Sequence, residues 1–295
     1  MRRVLKIFWI IIVAIAILLF AVMIVMQTPA VQTFVARKVE RLMEENINGT
    51  ISFSKIHFKP FNALVIKDLF IVDNQPVHFG EVELDTLFHA ESVITTFSLK
   101  GLWKREGLHF NRASVTNASL LLTGKGKSNN LKRIFNLGGR PKKKQEGDLF
   151  DIGRIQIADF RFRLVKSRSD SLTVPYGLNW RDLDVQVDRL DGRDLKFSDG
   201  CLSGILHKAV LREKSGYSVS HLSGKAKVGR GTALIEDIQL TDAWSQLDLP
   251  SFTMSYDDAT AFKDFLHRVR MNGVVNRSRI DFRTLAYFAP ALRGK

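Results

Sequence analysis

The sequence predicts a mostly β protein behind an N-terminal transmembrane helix, with antiparallel strands and a few short helices among them. Three observations carry this. An uncharged apolar run fills Ile7 to Met26. From Ile51 onward, apolar residues fall at every second position. A short pattern closing on Asp or Asn then returns along the chain.

The apolar run comes first. It is twenty residues long, which as a helix spans about 30 Å, the thickness of a hydrocarbon core. A cleaved signal peptide has an apolar region of roughly 7–15 residues, so this run reads as an uncleaved anchor. Arg2, Arg3 and Lys6 precede it directly, whereas Arg37, Lys38 and Arg41 lie further beyond it. Basic residues close to a span stay on the cytoplasmic side. Residues 1–6 are therefore expected in the cytoplasm, 7–26 in the membrane and the rest outside the cytoplasm.

Residues 27–50 read as a juxtamembrane amphipathic helix. Val31, Phe34, Val35, Val39, Leu42 and Met43 share one stripe, opposite Arg37, Lys38, Glu40, Arg41 and Glu44. That stripe suits packing on the following domain, or lying on the bilayer.

From residue 51 to 295 the strands begin. Phe160, Phe162 and Leu164 alternate with Arg161 and Arg163, and Leu183, Val185 and Val187 alternate with Asp182, Asp184, Gln186 and Asp188. Such alternation marks strands with one wet face. The recurring hexamer is a polar residue, an apolar one, any, an apolar one, any, and Asp or Asn. It spans 68–73, 112–117, 154–159, 194–199 and 237–242, with a degraded sixth copy at Arg279 to Thr284. The copies start 40 to 44 residues apart, a period near 42 that predicts an array of one supersecondary unit. Two stretches interrupt it. Residues 125–147 form a basic loop with a short helix near Leu131 to Leu137, and Asp258 to Arg270 has a helical pattern with Phe262, Phe265, Leu266 and Val269 on one side.

Composition narrows the chemistry. The chain is 45% hydrophobic, enough for a core. Its one cysteine, Cys201, excludes an internal disulfide, and seven dispersed histidines leave little for a metal site. The net charge of +14 calls for an anionic partner, either nucleic acid or lipid head groups. Placement outside the cytoplasm and the lack of aromatic interleaving in the basic run argue against nucleic acid. Arg140, Lys142, Lys143 and Lys144 are instead expected as a solvated loop that can contact an anionic surface. Gly126-Lys127-Ser128 lacks the first glycine of a phosphate loop, since Leu121 stands there. No Gly-x-Ser-x-Gly or His-Glu-x-x-His occurs. Cys201 has no activating neighbour and reads as a small buried residue. No catalytic residue, cofactor or metal is expected, and the chain is not expected to be an enzyme.

The run Ile51 to Asp73, with Phe53, Ile56, Phe58, Leu64, Ile66 and the Lys67-Asp68-Leu69 step, resembles the start of the AsmA-like family. More narrowly it is similar to the N-terminal part of TamB-type translocation and assembly proteins. The Ile155-to-Asp159 repeat and the terminal Leu285-to-Pro290 segment share the resemblance. The resemblance implies a single-pass protein of the bacterial inner membrane with its bulk in the periplasm. It also implies a repeating, β-taco-like groove that carries phospholipid and supports outer-membrane biogenesis, with an outer-membrane β-barrel assembly protein as a possible partner. The chain departs from it by lacking a long C-terminal β-region.

The residues agree with this on physical grounds. A sheet with one apolar face must cover it, either by closing as a sandwich or by curling into a trough that acyl chains fill. Phe160, Phe162, Leu164, Leu183, Val185 and Val187 are the residues expected to face lipid. The competing expectation is a non-conducting scaffold for outer-membrane protein assembly or secretion. Six repeats of two strands would make a groove roughly 55–60 Å long. That length suggests the membrane-proximal section of a longer groove, completed by further chain or by a partner on the last strand.

Overall fold

The computed structural model describes residue 28 and residues 48–59, 63–79, 82–97, 108–125, 128–134, 148–166, 177–229, 231–257 and 268–288. The anchor at 7–26, nearly all of the 27–50 helix, the residues Arg140 and Lys142 to Lys144, and most of the helix expected over 258–270 lie outside the described residues. Among the described residues no helix is long and apolar enough to cross a membrane.

The chain is mostly β, and the thirteen strands among the described residues form one sheet. They are β1 (Gly49–Ser52), β2 (Lys55–Lys59), β3 (Ala63–Phe79), β4 (Val82–Phe97), β5 (Leu108–Lys125), β6 (Ser128–Asn129) and β7 (Asp148–Lys166). There follow β8 (Asp182–Ser198), β9 (Cys201–Glu213), β10 (Ser218–Val228), β11 (Thr232–Asp242), β12 (Gln246–Tyr256) and β13 (Val269–Val274). Among the described residues two short helices accompany them, α1 (Asn130–Ile134) and α2 (Phe282–Phe288). The strands lie in chain order from β1 and β3 to β13, with β2 paired to β3 and β6 to β5.

Nearly all neighbours are antiparallel hairpins. Asp199-Gly200 turns β8 into β9 with φ of 52° and 75°, the two left-handed residues that a tight hairpin matching strand twist requires. One pair differs from the expected antiparallel order: β5 and β7 run parallel. Parallel neighbours need a crossover of a dozen residues or more, and the basic stretch from 126 to 147 supplies it. The helix there covers Asn130 to Ile134, and the rest of the stretch expected to be helical, up to Leu137, lies outside the described residues. Ile134 is fully buried, and its carbonyl accepts the Asn48 backbone N–H at 2.7 Å. Arg133 pairs with buried Asp73 at 2.5 Å. The crossover is thus tied back onto β1 and β3.

The apolar positions do not keep one parity along a strand. In β7 they run Ile155, Ile157, then Phe160, Phe162, Leu164; in β5, Ala113, Val115, then Ala118, Leu120, Leu122. In β3 they run Leu64, Ile66, then Leu69, Ile71; in β11, Ala233, Ile235, then Ile238, Leu240. In these four strands the residue at the slip is left-handed: Asp159 (φ 54°), Asn117 (48°), Asp68 (49°) and Asp237 (52°). Aspartate and asparagine tolerate this conformation better than other side chains. Each turns the chain once, so the apolar residues beyond it return to the face they would otherwise leave.

The slips line up. Asp68, Glu91, Asn117, Asp159 and Asp188 occupy successive strands at the one row where paired residues stop and resume. Asn117 Nδ2 donates to Glu91 Oε2 across that row at 3.0 Å. A second row passes through Asn111, Gly153 and Asp194, again between paired neighbours. A Cβ on Gly153 would lie 3.0 Å from the Asn111 carbonyl oxygen, so a larger residue at that crossing would press on the neighbouring backbone.

These rows explain the hexamers. Copies 112–117 and 154–159 lie side by side from Arg112 opposite Arg154 onward, and fill the panel between the two rows. Copies at 68, 194 and 237 instead begin on a left-handed residue. The even spacing therefore mixes two phases of one crease pattern. The sixth copy is not a strand repeat: Arg279 bridges to Gln246 and the rest enters α2. Val269, expected on a helix, begins β13. Cys201 is half-buried at the start of β9, not buried.

Replacing Asp159 with valine should destabilise the protein by about 1–2 kcal/mol, while glycine should be tolerated. Urea unfolding of the two variants checks this: the valine variant should melt first.

Candidate functional site

The candidate site is the apolar face of the sheet. The six residues expected to face lipid fall together on it. Phe160 pairs with Val187, Phe162 with Val185 and Leu164 with Leu183. On the other flank Ala118, Leu120 and Leu122 of β5 stand opposite the same three β7 residues. Val187 is buried and the other five are half-buried. All described strands belong to one sheet, so no second described sheet covers these side chains.

The opposite face is charged, and its ion pairs fix which way the strands face. Arg161 binds Asp184 through two hydrogen bonds of 2.8 and 2.6 Å. Arg154 binds Asp191 at 3.0 Å and Arg212 binds Asp188 at 2.7 Å. The hydrogen bond from Arg161 holds the Asp184 carboxyl below the usual aspartate range against the opposing effect of burial. Arg154 does the same for Asp191. Arg154 and Arg161 differ in parity yet both bind acids of β8, so the polar residues slip at Asp159 together with the apolar ones.

Beyond the crease the apolar face deepens into a cavity of about 280 Å³. Its walls are Ile155, Ile157, Leu190, Leu195, Leu202 and Leu206, and Gly192, Gly204, Gly224 and Ala226 leave its floor bare. Sequence reading missed this recess. Its signal was present: Ile155 and Ile157 are odd where Phe160 and Phe162 are even, and three adjacent strands each place a glycine in one patch.

One end of the face is covered. Leu178, Tyr217, Val219 and Tyr287 form a buried cluster against Leu183, Leu211, Leu222, Leu240 and Trp244. Helix α2 contributes Tyr287, stacked on Trp244 at 5.5 Å. A polar latch holds it there. Asp242 Oδ2 accepts hydrogen bonds from Thr284 at 2.7 Å and Tyr217 at 3.2 Å. Asp242 Oδ1 accepts the backbone N–H groups of Trp244 and Ser245 at 2.7 and 2.6 Å. Burial, with the nearby Asp242 charge, pushes the Tyr217 hydroxyl well above its ordinary value. Every named group of this cluster has a partner, which suits a structural latch better than a nucleophile with its base.

Among the described residues no group of three His, Cys, Asp or Glu side chains is placed to hold a metal ion. No protein-family model matches the chain, and no characterised protein sequence matches it.

Replacing Asp242 with alanine should cost a few kcal/mol, since it strands the Tyr217 and Thr284 hydroxyls and two backbone donors. A thermal melt followed by tyrosine and tryptophan near-ultraviolet dichroism should show an early loss of the α2 signal.

Proposed function

We propose that the creased sheet is an open, β-taco-like trough that binds phospholipid acyl chains, in a single-pass protein of the bacterial inner membrane whose bulk lies in the periplasm. On this reading it belongs with AsmA-like and TamB-type proteins and serves outer-membrane biogenesis by conducting lipid. The carrying observation is the aligned row of parity slips. It keeps one face apolar through the crease in a single sheet, and leaves a recess of about 280 Å³ lined mostly by aliphatic residues and glycines, with Arg193 and Ser203 also on its wall. Each methylene leaving water for such a surface contributes about 0.8 kcal/mol, so a chain of a dozen or more carbons has ample driving force. The charged face stays wet and paired, which suits a molecule working in water between membranes.

A scaffold that assembles outer-membrane proteins is the second reading, and the last strand favours it. Among the described strands β13 pairs only with β12, and Met271 and Val274 on it are exposed. An edge of this kind can accept a partner strand.

A photo-reactive benzoylphenylalanine at Phe162 should cross-link phospholipid in whole cells, and one at Arg161 should not. Cross-links to protein alone at Phe162 would favour the scaffold. Ala226 is exposed and lines the recess. Its change to tryptophan should lower co-purified phospholipid severalfold without shifting the urea midpoint. Unchanged lipid in that variant would remove the trough reading.

A further inference from the structure

Helix α2 is apolar on two sides. Its inner side buries Thr284, Ala286 and Tyr287 against the sheet. Its outer side carries Phe282 and Leu285, exposed by 63% and 40%, and at its margin Phe288, 43% exposed, sets its ring edge-on to buried Tyr217 at 5.2 Å. These lie three residues apart and so form one stripe along the helix. Trp180 extends the stripe: it is 54% exposed, and its ring lies 6.4 Å from that of Phe288. A cluster of large apolar side chains left in water on one short element marks an interaction surface.

The charges around the stripe select its partner. Arg181 follows Trp180, and Arg277 and Arg279 precede the helix; all three are exposed. Arg283 is balanced by Asp281, which it binds at 2.9 Å. The stripe therefore carries a surplus of positive charge. A second copy docking face to face would bring these arginines against their own kind, which is unfavourable. Aromatic and aliphatic side chains flanked by arginines match the boundary between acyl chains and anionic head groups.

We propose that the α2 stripe, with Trp180, is a docking surface for an anionic phospholipid bilayer. Phe282, Leu285, Phe288 and Trp180 enter the head-group boundary, and Arg181, Arg277 and Arg279 meet the lipid phosphates. The surface belongs to the β8–β12 part of the sheet, far in strand order from β1. This inference does not depend on lipid filling the trough.

The test uses the full chain in nanodiscs of phosphatidylcholine, mixed with added vesicles and separated by flotation. The wild type should float with phosphatidylglycerol-rich vesicles, not with phosphatidylcholine vesicles, and less so as salt rises. The triple variant F282S/L285S/F288S should lose on the order of tenfold or more of that binding. The variant R277E/R279E leaves α2 itself intact, so it keeps the test sound if the triple variant misfolds; it should lose binding to the anionic vesicles. Equal flotation with both vesicle types, no loss in R277E/R279E, or pairing of nanodiscs without vesicles would overturn the proposal. The last would assign the stripe to a second copy. Absence of flotation by the wild type would also overturn it, leaving a protein partner.

Discussion

A strand has two faces, and a chain of alternating residues assigns one to water and one to the core. A crease breaks that assignment, because the residue at the bend shifts everything after it by one position. The structure rests on how this protein answers the problem. In several strands it places one left-handed Asp or Asn at the bend and moves the apolar pattern by one residue at the same point. Asp68, Asn117 and Asp159 do so in strands that share one row, and Asp237 does so further along the sheet. Each left-handed residue costs about 1–2 kcal/mol. The return is an apolar face that continues from Phe160 and Phe162 to Ile155 and Ile157 without exposing Arg154 or Arg161 to it.

The two short helices follow from the same constraint. A single sheet has ends at which its apolar face meets water. Helix α1, on the β5–β7 crossover, buries Ile134 against the start of the sheet. Helix α2 covers the other part with Tyr287 and is held by the Asp242 latch. Between them the β5–β8 stretch of the face has no second sheet among the described strands. The α2 cover reaches Leu183 of β8, one of the six residues on that face.

Much of this was legible in the residues. The Phe160–Leu164 and Leu183–Val187 alternations placed six side chains on one face, and the structure pairs them strand to strand. The hexamers were real local patterns, and two of them lie in register. What they meant was not legible from spacing. A hexamer can start or end on a crease residue, and a period near 42 cannot tell the two apart. The parity jump at Asp159 could have revealed it, but alternation is ordinarily read within a strand, and a slip looks like a strand end. The latch was hidden for a different reason: Tyr217, Asp242 and Thr284 are far apart in sequence, and only the return of α2 onto the sheet brings them together. The parallel β5–β7 pair was hidden because a crossover and a surface loop have the same composition.

The continuity of the apolar face through the crease can be measured one residue at a time. In a Cys201→Ser background, single cysteines at each position from 154 to 163 are treated with a bulky charged maleimide. The account predicts protection at 155 and 157, then at 160 and 162, with the parity changing at Asp159. Unbroken alternation, with protection at 155, 157, 159 and 161, would contradict it.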